Sequence, residues 1–306
     1  MAVPILLVSG FLGAGKTTLI NRLLSEPDGR RIAAVVNDFG AVDIDAALLA
    51  GVSSDVVSLR NGCICCSLQG DLLQTLSALL RRQPPPDAIV IETSGVSDPA
   101  EIVHILLDPV IWREAALETV LCLADARLLA DDPAMLGDRL FRSQIRAADF
   151  VGLTKADMVT PQEHAEVGRL LGQTRPGLGL HDAPHGVLPH ELLFSGRLHV
   201  SEASSPSRFS TPGFESVSWT ATKPLSLACF QAAVVRLGGR LVRAKGIVSF
   251  AEHLDTPMVF QMVGQRATLS PAPPMEAGEA VRLVFIARNG ALADGEMAAC
   301  LETCIA

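Results

Sequence analysis

The order of apolar runs and helical stretches predicts an α/β three-layer sandwich with a mostly parallel sheet over residues 1–195, a linker at 196–213 and a smaller α+β domain at 214–306. Two observations carry the larger prediction. Short, almost purely apolar runs recur at Val3 to Ser9, Arg31 to Val36, Asp55 to Leu59, Ala88 to Ile91, Thr119 to Ala124 and Asp149 to Leu153, with helical stretches between most of them. Strands apolar on both faces belong to a parallel sheet covered on both sides. The second observation is the run Gly10-Phe11-Leu12-Gly13-Ala14-Gly15-Lys16-Thr17, which follows the first strand and opens the first helix. It matches the complete phosphate-loop pattern, so the sandwich expected is that of the P-loop NTPases.

The elements follow in order. Lys16 to Leu24 reads as the helix behind the glycines, and further helices are expected at about 68–82, 99–107, 136–147 and 161–171. After residue 172 the pattern loosens, Gly, Pro and His becoming frequent, and Ser201 to Gly213 is rich in Ser and Pro, as linkers are. A second unit begins with a strand near Glu215 to Thr220 and a helix from Leu225 to Leu237. Strands near Leu241 to Glu252, Val259 to Val263 and Val281 to Arg288 complete it. One helix against an antiparallel sheet is the simplest assembly of these pieces.

Composition narrows the function classes. Hydrophobic residues make up 49% of the 306 and charged residues 19%, which argues for folded cores rather than extended disorder. A net charge of −8 provides no global field toward nucleic acid or an anionic membrane surface. The first apolar run has no lysine or arginine before it and is broken by Gly10, Gly13, Gly15 and Lys16, well short of the roughly 20 residues of a membrane span. A soluble, cytoplasmic protein is expected, with neither nucleic acid nor membrane as partner.

Of seven cysteines, three crowd into positions 63, 65 and 66. Adjacent cysteines make poor disulfide frameworks but good soft ligands for one metal ion. Cys122 and Cys229 read as core packing. Cys300 and Cys304, four apart on a terminal helix, have a spacing compatible with a metal but more simply incidental. His181, His185 and His190 read as solvated loop groups.

The chemistry concentrates at the ends of the predicted parallel strands, where open α/β sheets bind ligands. Gly10, Gly13, Ala14, Gly15, Lys16, Thr17 and Thr18 are the expected phosphate contacts, through backbone amides and the positive end of the helix. Lys16 is expected to reach the terminal phosphates and Thr17 to place its hydroxyl on magnesium. Glu92, in Glu92-Thr93-Ser94-Gly95, is the expected magnesium-binding or water-positioning carboxylate, and the Gly95 amide the sensor of the terminal phosphate. Asp38, in Asn37-Asp38-Phe39-Gly40 with Asp43 and Asp45 behind it, is placed among the catalytic acids. In Thr154-Lys155-Ala156-Asp157 the Asp157 carboxylate suits the paired N–H donors of guanine, with the Lys155 stem against the base. Asn61-Gly62-Cys63-Ile64-Cys65-Cys66-Ser67 supplies three thiolates, Cys63, Cys65 and Cys66, for a soft ion, and leaves room for another protein group, water or a transferred ligand.

Together these residues resemble the cobalamin-biosynthesis-W-like GTPases, described as metal-chaperone GTPases. The resemblance runs over nearly the whole chain and includes Arg243-Ala244-Lys245-Gly246 in the small domain. It implies GTP hydrolysis to GDP, with magnesium, coupled to holding zinc or cobalt and delivering it to a client metalloprotein or a cofactor-biosynthesis protein. It also leaves room for a homodimer that depends on nucleotide or metal. A metal-sensing regulatory GTP-binding module and a small-molecule kinase are the alternatives from other classes. The chain departs from the family pattern in three places: Ala41 stands where glutamate is common, Asp38 is shorter than the usual glutamate, and Thr154 replaces asparagine with a hydroxyl side chain. It has no long histidine tract of the kind that would suit metal storage.

Overall fold

The computed structural model of the protein describes residues 2–36, 56–58, 67–108, 111, 114–194, 208–211, 214–272, 279–293 and 295–306. Asp38, Ala41, Asp43, Asp45 and the run containing Cys63, Cys65 and Cys66 lie outside the described residues. The chain forms two compact units, Met1–Phe194 and Ser195–Ala306.

The first unit is built on seven strands: β1 (Val3–Gly10), β2 (Ile32–Val36), β3 (Val56–Ser58), β4 (Ala88–Glu92), β5 (Ala115–Asp125), β6 (Phe150–Thr154) and β7 (Gly179–Asp182). Their order is β3-β2-β4-β1-β5-β6-β7, and every pairing is parallel. The chain fills one side of β1 and then the other, so the change of direction falls at β1. That is where such sheets open a ligand crevice.

Both side-chain parities of the strands are buried, as two-sided coverage demands. Ile5, Leu7, Ile89, Ile91 and Val120 pack with Leu72, Leu76 and Ile102 of the helices Ser67–Leu80 and Pro99–Leu106. Their strand neighbours Leu6, Val8, Val90 and Leu121 are equally inaccessible. Further along the sheet, Cys122, Val151 and Leu153 pack with Phe141 and Ile145 of helix Arg139–Ala147 and with Val167 and Leu171 of helix Pro161–Thr174. The last helix starts with a capping box: Thr160 accepts from the Glu163 amide while Glu163 accepts from the Thr160 amide.

The histidine-rich stretch is more ordered than its composition suggests. His181 lies on β7, buried, with its ring edge-on to Phe150 at 5.3 Å between centroids. This corrects its reading as a solvated loop group, because β7 adds an edge strand that covers Phe150. His190 opens a short helix, His190–Leu193, with its Nδ1 3.4 Å from Arg30 Nη1. Only His185 is exposed as expected.

The second unit is a six-stranded antiparallel sheet: β8 (Arg208–Thr211), β9 (Phe214–Ala221), β10 (Leu241–Phe250), β11 (His253–Val263), β12 (Arg266–Pro271) and β13 (Val281–Arg288), in the order β12-β11-β10-β13-β9-β8. Burial alternates along β10 and β13, which marks one covered face. Two helices, Leu227–Gly238 and Glu296–Glu302, contribute to the core, with Phe230 at 4.9 Å from Phe260 and 5.6 Å from Phe250 between ring centroids. Part of the expected linker, residues 208–211, is instead strand β8, since it finds a hydrogen-bonding edge on β9. β12 was not expected either; its polar alternation is that of an edge strand half open to water.

Two cysteine readings change. Cys229 and Cys304, 75 residues apart, form a disulfide with Cα atoms 5.2 Å apart, joining the helix Leu227–Gly238 to the chain just past the terminal helix. Cys300 is a buried free thiol beside the Arg236 guanidinium. The four-residue spacing is incidental, because the helix ends at Glu302 and Cys304 turns toward Cys229. No group of His, Cys, Asp or Glu suited to a metal occurs among the described residues. No helix among them is long and apolar enough to cross a membrane.

Candidate nucleotide site

The site begins where β1 stops. Gly10 has φ +137°, and a Cβ there would stand 2.3 Å from the Leu123 carbonyl oxygen of β5, so only glycine allows the chain to turn so close to its neighbour. Gly13 and Gly15 also have positive φ, and Gly15 caps the helix Lys16–Ser25 without any side-chain hydrogen bond. A helix start capped in that way leaves amide donors and the positive dipole end for an anion. No acidic residue in its first turn competes for them.

Lys16 is 7% exposed and donates to the carbonyls of Gly10 at 3.0 Å and Phe11 at 3.2 Å, which holds its ammonium over the loop. Thr17 follows, its hydroxyl 3.3 Å from Glu92 Oε1. Glu92 ends β4 and is 4% exposed, in register with Val8 of β1. A hydroxyl and a carboxylate are therefore adjacent beside a phosphate loop, the oxygen pair that a hard cation prefers. Thr18 is exposed on the same helix. Cys122, behind the loop on β5, is fully buried, and loss of solvation pushes its thiol up to about 12, so it is an unreactive core group as expected.

The segment after Glu92 leans on the loop. The Thr93 amide donates to Val8 at 2.9 Å, and a Cβ on Gly95 would lie 2.8 Å from the Leu12 nitrogen. Gly95 thus packs against the phosphate loop at Leu12. Gln144, wholly buried on the helix Arg139–Ala147, donates to the carbonyls of Gly95 at 3.2 Å and Ser97 at 3.3 Å. The Ser143 hydroxyl donates to Asp98 at 2.7 Å, while Asp98 caps the next helix through the Ala100 amide. Sequence reasoning missed Gln144. Its signal was available: a polar residue between Phe141 and Ile145 on the apolar face of that helix.

The expected base-binding loop meets the phosphate loop through Thr154. Its hydroxyl, on a residue 4% exposed, is 2.9 Å from the Ala14 carbonyl and 3.2 Å from that of Ala124. Lys155 adopts a left-handed conformation, φ +54°, and its ammonium meets Asp125 Oδ2 at 2.5 Å. Asp125 ends β5 and caps the following helix through the amides of Arg127 and Leu128. It too was missed, although an aspartate after the apolar run of β5 is a recognisable cap. Asp157 sits in the short 3₁₀ turn Ala156–Met158, exposed to a ligand from solvent. Lys16, Thr17, Glu92, Gly95 and Thr154 are brought together at the carboxyl ends of β1, β4 and β6, whereas Asp38 and the cysteine run fall outside the described residues.

A parallel sheet whose central strand ends in such a loop, flanked by a threonine–carboxylate pair and a lysine–aspartate turn, defines a P-loop nucleotide-binding protein. More narrowly, the chain belongs to the CobW/HypB/UreG family: the description "CobW/HypB/UreG, nucleotide-binding domain" matches residues 4–180, and "Cobalamin synthesis protein cobW C-terminal domain" matches residues 214–305. The chain is 36% identical over 197 residues to the zinc chaperone YeiR of Escherichia coli strain K12, covering 64% of this chain and 60% of that one. It is 34% identical over 183 residues to the zinc chaperone CobW of a Sinorhizobium species, covering 51% and 52% respectively. The matched stretches thus span only about half to three fifths of these relatives. Among solved structures, that of the Zn(II)-bound YjiA GTPase from E. coli aligns over 100% of both chains at 23% identity with a TM-score of 0.48.

Proposed function

We propose that the protein hydrolyses GTP and uses the nucleotide cycle to hold and release a transition metal, zinc or cobalt, for a client protein. The observation that carries this reading is the convergence of Lys16, the Thr17–Glu92 pair and the Thr154–Lys155–Asp125 group on one phosphate loop. Lys16 and the amides from Gly13 to Thr18 bind the phosphates, and the Gly95 amide, already against Leu12, responds to the terminal one. Thr17 and Glu92 have the oxygen chemistry to hold magnesium, which when bound neutralises charge on the phosphates. Asp157, exposed at its turn, accepts from the guanine edge, while the Asp125–Lys155 contact orients the lysine stem.

The metal is cargo rather than a resident group. Its proposed ligands are Cys63, Cys65 and Cys66, with Asp38 as a further donor. Support comes from the soft chemistry of three crowded thiols, from family membership and from relatives named zinc chaperones. GTP with magnesium draws the acidic segment and the thiolates together, and hydrolysis to GDP and phosphate loosens them. The recipient is a metalloprotein or a cofactor-biosynthesis protein in the cytoplasm, and nucleotide or metal promotes a homodimer.

Calorimetry and anaerobic metal competition at fixed pH test the reading, since thiolate affinity depends on protonation. Native protein is expected to prefer GTP to ATP, Asp157→Ala to lose that preference, and Lys16→Ala to lose affinity for both. Cys65→Ser and Cys66→Ser are expected to lower the affinity or stoichiometry of zinc. Unchanged GTP affinity in Lys16→Ala removes the phosphate-site assignment, and unchanged binding of every transition metal in both serine variants removes the cargo site. Metal transfer to an apo client separates a carrier from a sensor.

A further inference from the structure

The helix Arg139–Ala147 has two very different faces. Phe141, Gln144 and Ile145 are buried, whereas Arg139, Arg142 and Arg146 are exposed at spacings of three and four, one above another on the same side. The three arginines line an open cleft of about 740 Å³ together with Asp138 and Ser143 of the same helix and its cap, and Asp98 from the segment after β4. Neither carboxylate forms an ion pair with them. Asp98 is occupied by the Ala100 amide and the Ser143 hydroxyl, and Asp138 caps the helix through the Phe141 amide at 2.8 Å. No ion pair among the described residues involves any of the three guanidinium groups, whereas Arg22, Arg31, Arg127, Arg169, Arg240 and Arg282 all have carboxylate partners. Three like charges at helical neighbour spacing repel one another unless an anion joins them.

We propose that this cleft binds a carboxylate-bearing segment of a protein partner. Guanidinium groups grip carboxylates in a planar, two-point geometry, so three of them suit a short run of Asp or Glu side chains. A short acidic segment suits the site better than a nucleic acid: it brings only a few charges to the three arginines, whereas a phosphate backbone runs on as a polyanion over a chain whose net charge is −8.

The site is also joined to the phosphate loop. Gln144 of the same helix holds the Gly95 and Ser97 carbonyls, Ser143 holds Asp98, and Gly95 touches Leu12. The cleft wall and the segment that meets the nucleotide are one hydrogen-bonded unit. Resting on the nucleotide-binding reading above, peptide affinity therefore differs between the GTP and GDP states, and nucleotide affinity differs reciprocally with peptide bound.

Fluorescence anisotropy with the full chain and a labelled ten-residue peptide of eight glutamates and two glycines tests the site. Native protein is expected to bind it in a salt-dependent manner, and Arg142→Glu with Arg146→Glu to weaken binding at least tenfold while retaining the native far-UV circular dichroism. If charge reversal disturbs the fold, Arg142→Gln with Arg146→Gln replaces it, with the same tenfold loss expected. Equal binding by native and folded variant protein overturns the proposal. Tighter binding of oligodeoxythymidylate than of peptide through the same arginines overturns the protein partner in favour of nucleic acid. The titration is made first without nucleotide, so a failure to bind GTP removes the Proposed function while the cleft is still decided. With nucleotide bound, the difference between GTP and GDP states is expected to vanish in Gln144→Leu; its absence from native protein overturns the coupling.

Discussion

Thr154→Val removes one hydroxyl and keeps nearly the same shape, so it tests the hydrogen bonding of the base-binding loop to the phosphate loop and to β5. In the native protein that hydroxyl lies 2.9 Å from the Ala14 carbonyl and 3.2 Å from the Ala124 carbonyl. Without it two backbone acceptors at a buried place lose a donor, which costs about 1–3 kcal/mol. The valine methyl takes the place of the hydroxyl oxygen, 2.9 Å from the Ala14 carbonyl oxygen, closer than a methyl tolerates, so the loop also shifts by a few tenths of an ångström. Ala14 precedes the cap of the loop helix, and its carbonyl orientation governs the amides that face phosphate. If about 1.4 kcal/mol of the loss falls on the loop's binding geometry, GTP affinity drops about tenfold. Urea unfolding followed by circular dichroism measures the first quantity, and calorimetric titration with GTP the second. Thr154→Ser is expected to remain close to native in both. Thr154→Asn, the residue common in the family, is expected to keep nucleotide affinity within severalfold, since its amide also donates to a carbonyl. Native stability and native GTP affinity in Thr154→Val would refute the reasoning.

Two further outcomes follow from the geometry. Gly10→Ala brings a Cβ to 2.3 Å from the Leu123 oxygen at a backbone φ of +137°. Combining overpacking with backbone strain, about 3 kcal/mol or more of stability is lost, to be read as a lower urea midpoint and a smaller soluble yield. Cys229→Ser removes a cross-link over a sequence separation of 75, for which loop-closure entropy gives about 4 kcal/mol. Denaturation followed by the fluorescence of Trp219, buried in the same unit, should show this loss, and reductant should bring native protein to the level of the variant. A reductant-insensitive transition identical in both proteins argues against the cross-link.

How much of this was legible in the sequence depended on how local the signal was. The phosphate loop is a contiguous pattern in which each glycine and the Lys-Thr pair act over a few residues, and it stood out before any fold was known. The parallel strands were legible because two-sided burial writes itself as unbroken apolar runs. Elements held by pairing rather than by their own pattern were missed. β8 is four residues in a Ser- and Pro-rich stretch and exists because β9 offers it an edge. β12 is six residues that alternate only between half-buried and exposed, and it is likewise supported by β11. His181 looked like a loop histidine because nothing near it in sequence announces that β7 will cover Phe150.

Neighbouring residues already spell out the chemistry at each strand end: a lysine and threonine after β1, a glutamate closing β4, a threonine closing β6 with a lysine and aspartate after it, and the thiols of the Gly62–Cys66 run. Local backbone demands and side-chain chemistry are properties of neighbouring residues, and composition alone expresses them. Which distant groups complete one another emerged with the fold. The Thr17–Glu92 contact spans 75 positions, Thr154 reaches Ala14 across 140, and Gln144 reaches Gly95 across 49. Cys229 likewise found Cys304 rather than serving as simple core packing. The physical reason is common to all four. A hydrogen bond or a disulfide requires atoms a few ångströms apart in a fixed direction, and sheet order and helix packing, not spacing along the chain, set those distances.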